Sequence, residues 1–182
     1  QNPELKNRGI LLTGSTGVGK TKLMSLIAKN LDRPFYKIDA TKLTVPGYVG
    51  TDIEEELWNL YVKCGKDVEK AEHAVIFLDE IDKKGSDNKS DISGRGVLNI
   101  LLPFIEGTEY DACASVKAAT QRVKINTSNM IVILGGAFQD VYDNLKKKNG
   151  IGFGATQDEQ KPQATTKDFV KKAGIPDEFM GR

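Results

Sequence analysis

Short apolar runs alternate along this chain with segments of helical periodicity, and that alternation predicts its architecture. The run from Gly9 to Thr13 is apolar and ends in a glycine-rich turn, the pattern of a buried parallel strand. From Lys20 to Asn30, the apolar residues Leu23, Met24, Ile27 and Ala28 recur at helical spacing. After the break at Asp32 to Pro34, Phe35 to Asp39 predicts a second strand. Thr51 and Glu54 have the spacing of a capping box, which opens a helix to about Cys64 with Ile53, Leu57, Leu60 and Tyr61 on one face. Ala74 to Leu78 reads as a third strand and Met130 to Leu134 as a fourth. Gly94 to Glu106 is helical in pattern, with Pro103 expected to kink it or end its ladder. Thr108 to Lys124 is polar and only weakly alternating, so irregular structure is expected there. A helix from about Phe138 to Lys148, a glycine-dense loop from Gly150 to Ala155 and a short helix over about Thr166 to Ala173 complete the pattern. Strands alternating with helices predict an α/β fold, a three-layer sandwich with a parallel sheet covered by helices on both faces.

Composition narrows the class without supplying a chemistry. With 182 residues, 39% hydrophobic and 28% charged, the chain has the makings of one domain with a real core. A formal net charge of +1 gives no global pull toward nucleic acid or an anionic membrane. No apolar run approaches the roughly 20 residues that span a bilayer, and no signal-peptide pattern opens the chain. Cys64 and Cys113 are too few and too scattered for a disulfide framework or zinc site, so a reducing interior compartment is the simplest setting. Beginning at Gln1 and stopping at Arg182 as a new segment opens, the sequence reads as a piece of a longer protein.

The chemistry starts in the first glycine-rich turn. Gly14, Ser15, Thr16, Gly17, Val18, Gly19, Lys20 and Thr21 match G-x-x-x-x-G-K-S/T in full, between an apolar strand and an amphipathic helix. Such glycines let backbone N–H groups wrap phosphates, while Lys20 reaches the β- and γ-phosphates and the Thr21 hydroxyl ligates Mg²⁺. The helix start, including Lys22, points its positive dipole end at the same charge. About sixty residues on, Asp79 and Glu80 stand at the carboxyl end of a buried strand, where open α/β sheets bind ligands. Asp79 is expected to hold the magnesium with Thr21, and Glu80 to polarise the water that attacks the γ-phosphate. The cofactors expected are ATP or ADP with Mg²⁺, and the fold class is that of a P-loop NTPase.

Several further segments are more restrictive than these two motifs. They are Asp39 to Thr44, Gly47 to Gly50, Ile76 to Lys83, Ser93 to Val97, Ile105 to Thr108, Gly135 to Phe138, Gly150 to Ala155 and Ile175 to Arg182. Together they resemble the AAA+ ATPases, and within them the ClpX family of unfoldases, over nearly the whole chain. The resemblance implies that residues 1–182 form a large AAA+ ATPase domain. It implies that Tyr48 and Val49, between Gly47 and Gly50, form a pore loop gripping unfolded substrate. An aromatic and a β-branched side chain between glycines suit contact with almost any sequence. It implies that Ile151, Gly152 and Phe153 dock on the ClpP peptidase, apolar anchors in glycine-rich backbone being suited to a partner's pockets. Arg182 falls where the family places an arginine finger for a neighbour's γ-phosphate. The implied assembly is a homo-hexamer handling unfolded or tagged proteins, without nucleic acid or membrane. The implied location is the bacterial cytoplasm, with a mitochondrial matrix or plastid interior as alternatives.

The sequence also departs from that family. The sensor position after the fourth strand reads Gly135 and Gly136, with no polar side chain; as in the family, Asn126 to Asn129 before that strand supply polar atoms, none assignable as a sensor. Arg95 stands where the family has an acid, and residues 108–124 lack the Arg-Lys-His triplet that helps select tagged substrates. Other readings on the same ATPase frame are a nucleic-acid-remodelling motor and an assembly subunit without turnover. The near-neutral charge weighs against the first, and the full set Lys20, Thr21, Asp79 and Glu80 against the second. His73 reads as a surface or capping residue, Trp58 as packing or a subunit contact, and Lys146 to Lys148 as charges suited to a helix end. The family's zinc-binding N-terminal domain and small helical domain are not among these 182 residues. The isolated chain should therefore bind nucleotide weakly and turn it over slowly, which a phosphate-release assay on the monomer checks.

Overall fold

The apolar runs pair side by side in a computed structural model, which describes residues 9–44, 50–85, 92–114 and 121–143 together with Thr165 and Asp168. Among the described residues the strands are β1 (Ile10–Thr13), β2 (Phe35–Asp39), β3 (Val75–Asp79), β4 (Glu109–Ala112), β5 (Val123–Asn126) and β6 (Ile131–Gly136). The helices are α1 (Lys20–Asn30), α2 (Ile53–Lys63), α3 (Val68–Glu72), α4 (Asp82–Gly85) and α5 (Ile92–Glu106). Four strands form one parallel sheet in the order β1-β6-β3-β2, with Thr13 opposite Gly136, Leu78 opposite Leu134 and Asp39 opposite Asp79.

Strand β3 lies inside this sheet, and Val75, Ile76, Phe77 and Leu78 are fully buried. A strand covered on both faces needs apolar side chains in both directions, which explains the unbroken run rather than an alternation. Ile76 and Leu78 join Val132, Leu134 and the inner residues of α2 and α5 on one face. Val75 and Phe77 join Ile133 and the α1 residues Met24 and Ala28 on the other. Helices thus cover both faces, as the α/β pattern predicts. Burying each large aliphatic or aromatic side chain contributes about 1.5–3 kcal/mol relative to leaving it exposed.

The predicted bounds of α1 and β2 match those observed, but the apolar stripe of α1 is only half used. Met24 and Ala28 are buried, whereas Leu23 and Ile27 remain 50% and 39% exposed. The capping box is corrected: Asp52, not Thr51, caps α2, its carboxylate accepting from the Glu55 N–H at 3.1 Å. Thr51 is held instead in a bridge beside Leu43, its N–H donating to the Lys42 carbonyl, so that amide is not free for Glu54. The inner face of α2 is as expected, with Ile53, Leu57 and Leu60 buried. Helix α5 starts two residues earlier than predicted and runs through Pro103 to Glu106; the Pro103 carbonyl accepts from the Gly107 N–H and the Thr108 hydroxyl.

Residues 108–124, expected to be irregular, contain β4 and the first two residues of β5, which pair antiparallel. One side is buried through Ala112 and Ile125 while the other carries Glu109, Asp111 and Lys124, an alternation that four-residue strands repeat too few times to stand out from a polar stretch. Helices α3 and α4 are short and carry no periodicity that a sequence window can register. After β6, residues 139–143 are helical, the described part of the helix predicted from Phe138. Asp168 is helical, with its carboxylate accepting from the Thr165 N–H and hydroxyl. The predicted glycine-dense loop, and the rest of the last helix, lie outside the described residues. Among those described, no helix is long and apolar enough to cross a membrane.

Asp52→Ala is expected to lower stability by about 1 kcal/mol through loss of the cap, and Thr51→Ala by less. Urea unfolding of the two variants side by side checks the assignment.

Candidate functional site

Parallel pairing brings the carboxyl ends of β1, β6, β3 and β2 to one edge of the sheet, and the site is built there. Beyond β1, the Gly14 N–H donates to the Gly136 carbonyl at 3.2 Å, tying the turn to the end of β6. Gly17 and Gly19 adopt φ of 84° and 92°, a left-handed backbone in which a Cβ is strained, so this turn requires glycine. Gly19 is the N-cap of α1, with no side-chain cap and no acid in the first turn. The positive end of α1 is thereby left to interact with an external anion. The Lys20 ammonium donates to the carbonyls of Gly14 and Ser15 within the turn.

Two strands away, about 10 Å at ordinary sheet spacing, β3 ends in Asp79. Its carboxylate accepts from the Glu80 N–H at 3.0 Å through Oδ1 and pairs with the Lys37 ammonium at 2.7 Å through Oδ2. Glu80 itself has φ of 62°, an uncommon conformation for a residue with a side chain, and such strain tends to concentrate at functional sites. Its carboxylate pairs with Lys83 at 2.9 Å, a bond that holds the Lys83 ammonium above its usual pKa.

These elements enclose one cleft of about 320 Å³. Thr16, Gly17, Gly19, Lys20, Thr21 and Lys22 line one wall, and Asp79, Glu80, Asp82 and Lys83 the other, with Gly136 and Ala137 between. The sequence-predicted cradle and acidic pair therefore converge on a single space. Of the cradle residues outside that lining, Gly14 and Ser15 supply carbonyls to Lys20, and Val18 is 64% exposed. Thr21 and Asp79 offer hard oxygen donors suited to Mg²⁺. Among the described residues no group of three His, Cys, Asp or Glu side chains could hold a metal by itself. A magnesium ion here would thus draw on phosphate and water oxygens as well, its usual habit at nucleotide sites.

The glycine pair at the sensor position has a packing explanation. A Cβ at Gly135 would lie 2.4 Å from the Phe77 ring, and one at Gly136 would lie 2.6 Å from the Asp82 carboxylate. Asp82 occupies this corner, accepting from the Phe138 N–H at 2.9 Å, and Phe138 is left-handed at φ 50°. Asn126 to Asn129 precede β6 and so lie at the far end of a six-residue strand, about 20 Å from the cleft. Asn126 caps the Ser128 amide and the Asn129 carbonyl accepts from Arg33, which leaves these residues structural. Sequence reasoning missed Asp82, Lys83 and Lys37 as parts of the site. The first two follow the acidic pair directly, the one available signal, while Lys37 sits on a different strand.

Tyr48, Val49, Ile151, Gly152, Phe153 and Arg182 lie outside the described residues. Of the minor residues, His73 ends α3, its Nδ1 2.8 Å from the Glu69 carbonyl, in keeping with a capping role. Trp58 packs on Tyr61, ring centroids 5.6 Å apart, against the larger core cluster.

A parallel sheet whose first strand turns through a glycine cradle into a helix, with an acidic pair on the strand next but one, defines a P-loop nucleotide-binding protein. A family model for the AAA domain (Cdc48 subfamily) matches residues 6–182, and the chain belongs to that family of nucleotide-dependent ATPases.

Gly135→Ala should destabilise the domain by about 1–3 kcal/mol through overpacking against Phe77. Pairing it with Phe77→Leu should cost less than the two single losses added, because the smaller side chain clears the new methyl. A double-mutant cycle by denaturant unfolding measures this.

Proposed function

We propose that this chain is the motor domain of an ATP-dependent protein unfoldase of the ClpX type, working in a ring with copies of itself and feeding the ClpP peptidase. The observation that carries the ATPase part is the single cleft shared by the Lys20 turn and the Asp79–Glu80 strand end. In this reading the cradle amides and the Lys20 ammonium exchange their internal partners for β- and γ-phosphate oxygens. Thr21 and Asp79 hold Mg²⁺, which when bound neutralises charge on those oxygens. Glu80 orients the attacking water and accepts its proton, its carboxylate already positioned by Lys83 at the cleft wall. Arg182 of a neighbouring subunit supplies further charge to the γ-phosphate, which makes turnover depend on assembly.

The unfolding part rests on the resemblance of the segments named above. Tyr48 and Val49 pull polypeptide through the ring, and Ile151 to Phe153 secure the peptidase. Unfolded or tagged proteins are the substrates; the setting is the bacterial cytoplasm or an organelle interior derived from it. A near-neutral chain with an aromatic-aliphatic loop favours polypeptide over nucleic acid.

Degradation of a stably folded, tagged substrate by the full-length assembly with ClpP tests the whole reading. Glu80→Gln should keep ATP binding and reduce turnover by about 100-fold or more. Removal of residues 151–153 should leave ATP hydrolysis and abolish degradation. Turnover at the unaltered rate in Glu80→Gln would displace Glu80 as the base.

A further inference from the structure

A lysine that belongs to no phosphate-binding motif sits directly on the expected magnesium ligand. Lys37 lies in β2 opposite Phe77 of β3, and Asp39 lies opposite Asp79. Alternate residues of a strand share a face, so Lys37 stands one pleat behind the Asp39–Asp79 pair and reaches forward to it. Its ammonium meets Asp79 Oδ2 at 2.7 Å, while Oδ1 is taken by the Glu80 N–H. The Asp79 side chain is only 15% exposed, so solvent can do little to screen it. Asp39 has its own partners, the N–H and hydroxyl of Thr41 and, at 3.7 Å, the Lys42 ammonium. Lys37 does not line the cleft, so any effect on the site is exerted through Asp79.

We propose that Lys37 is a positioning residue that sets the magnesium threshold of the nucleotide site, serving as a resident cation on Asp79. The inference rests on the reading of Asp79 as the metal-holding carboxylate. A divalent ion approaching from the cleft meets a carboxylate already shared with an ammonium on its other side. Like-charge repulsion between the two cations weakens metal binding, and the same pairing orients the carboxylate. The site consequently closes on nucleotide at a higher free Mg²⁺ than a bare carboxylate would require.

The test is a Mg²⁺ titration of N-methylanthraniloyl-ADP binding to the full-length protein, followed by fluorescence, with melting temperature measured alongside. Lys37→Met should lower the half-saturating Mg²⁺ concentration by about two- to fivefold, the scale expected of a partly exposed ion pair. Lys37→Arg, which keeps the charge, should leave it unchanged. Lys42→Met removes the same charge from the neighbouring Asp39 pair and should shift the midpoint less. Lys37→Gln replaces the methionine variant should that fail to fold, with the same expected shift. A change in melting temperature with an unmoved midpoint, or an equal shift in Lys42→Met, would overturn the role of Lys37 while leaving the site reading intact. Nucleotide binding that ignores Mg²⁺ in the unaltered protein would overturn both.

Discussion

The structure depends on parallel pairing of four short strands in the order β1-β6-β3-β2. Parallel strands all finish at the same edge, and a strand inserted between two others sets their separation. Here β6 separates β1 from β3 and thereby fixes the distance between the glycine cradle and the acidic strand end. Neither element makes a site by itself. The cradle is a polar turn and the acids are surface charges until β6, apolar enough to be buried on both faces, holds them to one cleft.

Holding them there imposes local costs that other residues meet. Two strand ends turn through left-handed residues that are not glycine, Glu80 and Phe138, each at an expense of about 1 kcal/mol or more. Asp82 bonds the Phe138 amide and Lys83 pairs with Glu80, so consecutive residues of α4 secure both turns. The carboxyl end of the sheet also gathers negative charge, with Asp39 and Asp79 in register. Burial pushes the Asp39 carboxyl up, but hydrogen bonds from Thr41 and the Lys42 and Lys37 ammonium groups outweigh that and hold it below the usual range. Cations on the sheet and on α4 thus balance a carboxylate edge that faces a phosphate cradle.

Glycines Gly135 and Gly136 are required by packing at the end of β6. In the fold they are the places where the Phe77 ring and the Asp82 carboxylate come closest to the β6 backbone, leaving no room for a Cβ. The polar residues before β6 stand a strand's length from the cleft.

Much of the fold was legible in the sequence where burial imposes a period. The apolar runs of β1, β2, β3 and β6 and the helical spacing of α1 and α2 are local patterns, as is the glycine spacing of the cradle. Where a strand or helix is only four or five residues long, the pattern has too few repeats to register. The β4–β5 pair, α3 and α4 carry no readable signal for that reason, and the cap of α2 lies at Asp52, one residue beyond the Thr51 that the capping-box spacing predicts. By itself, the sequence determined which turn can wrap a phosphate and where a pair of acids stands, since those capacities reside in side-chain and backbone chemistry. Only the tertiary structure decided that they share one cleft and that Lys37 rests on Asp79. Those facts are distances between strands far apart in the chain, and strand order, not local pattern, sets them.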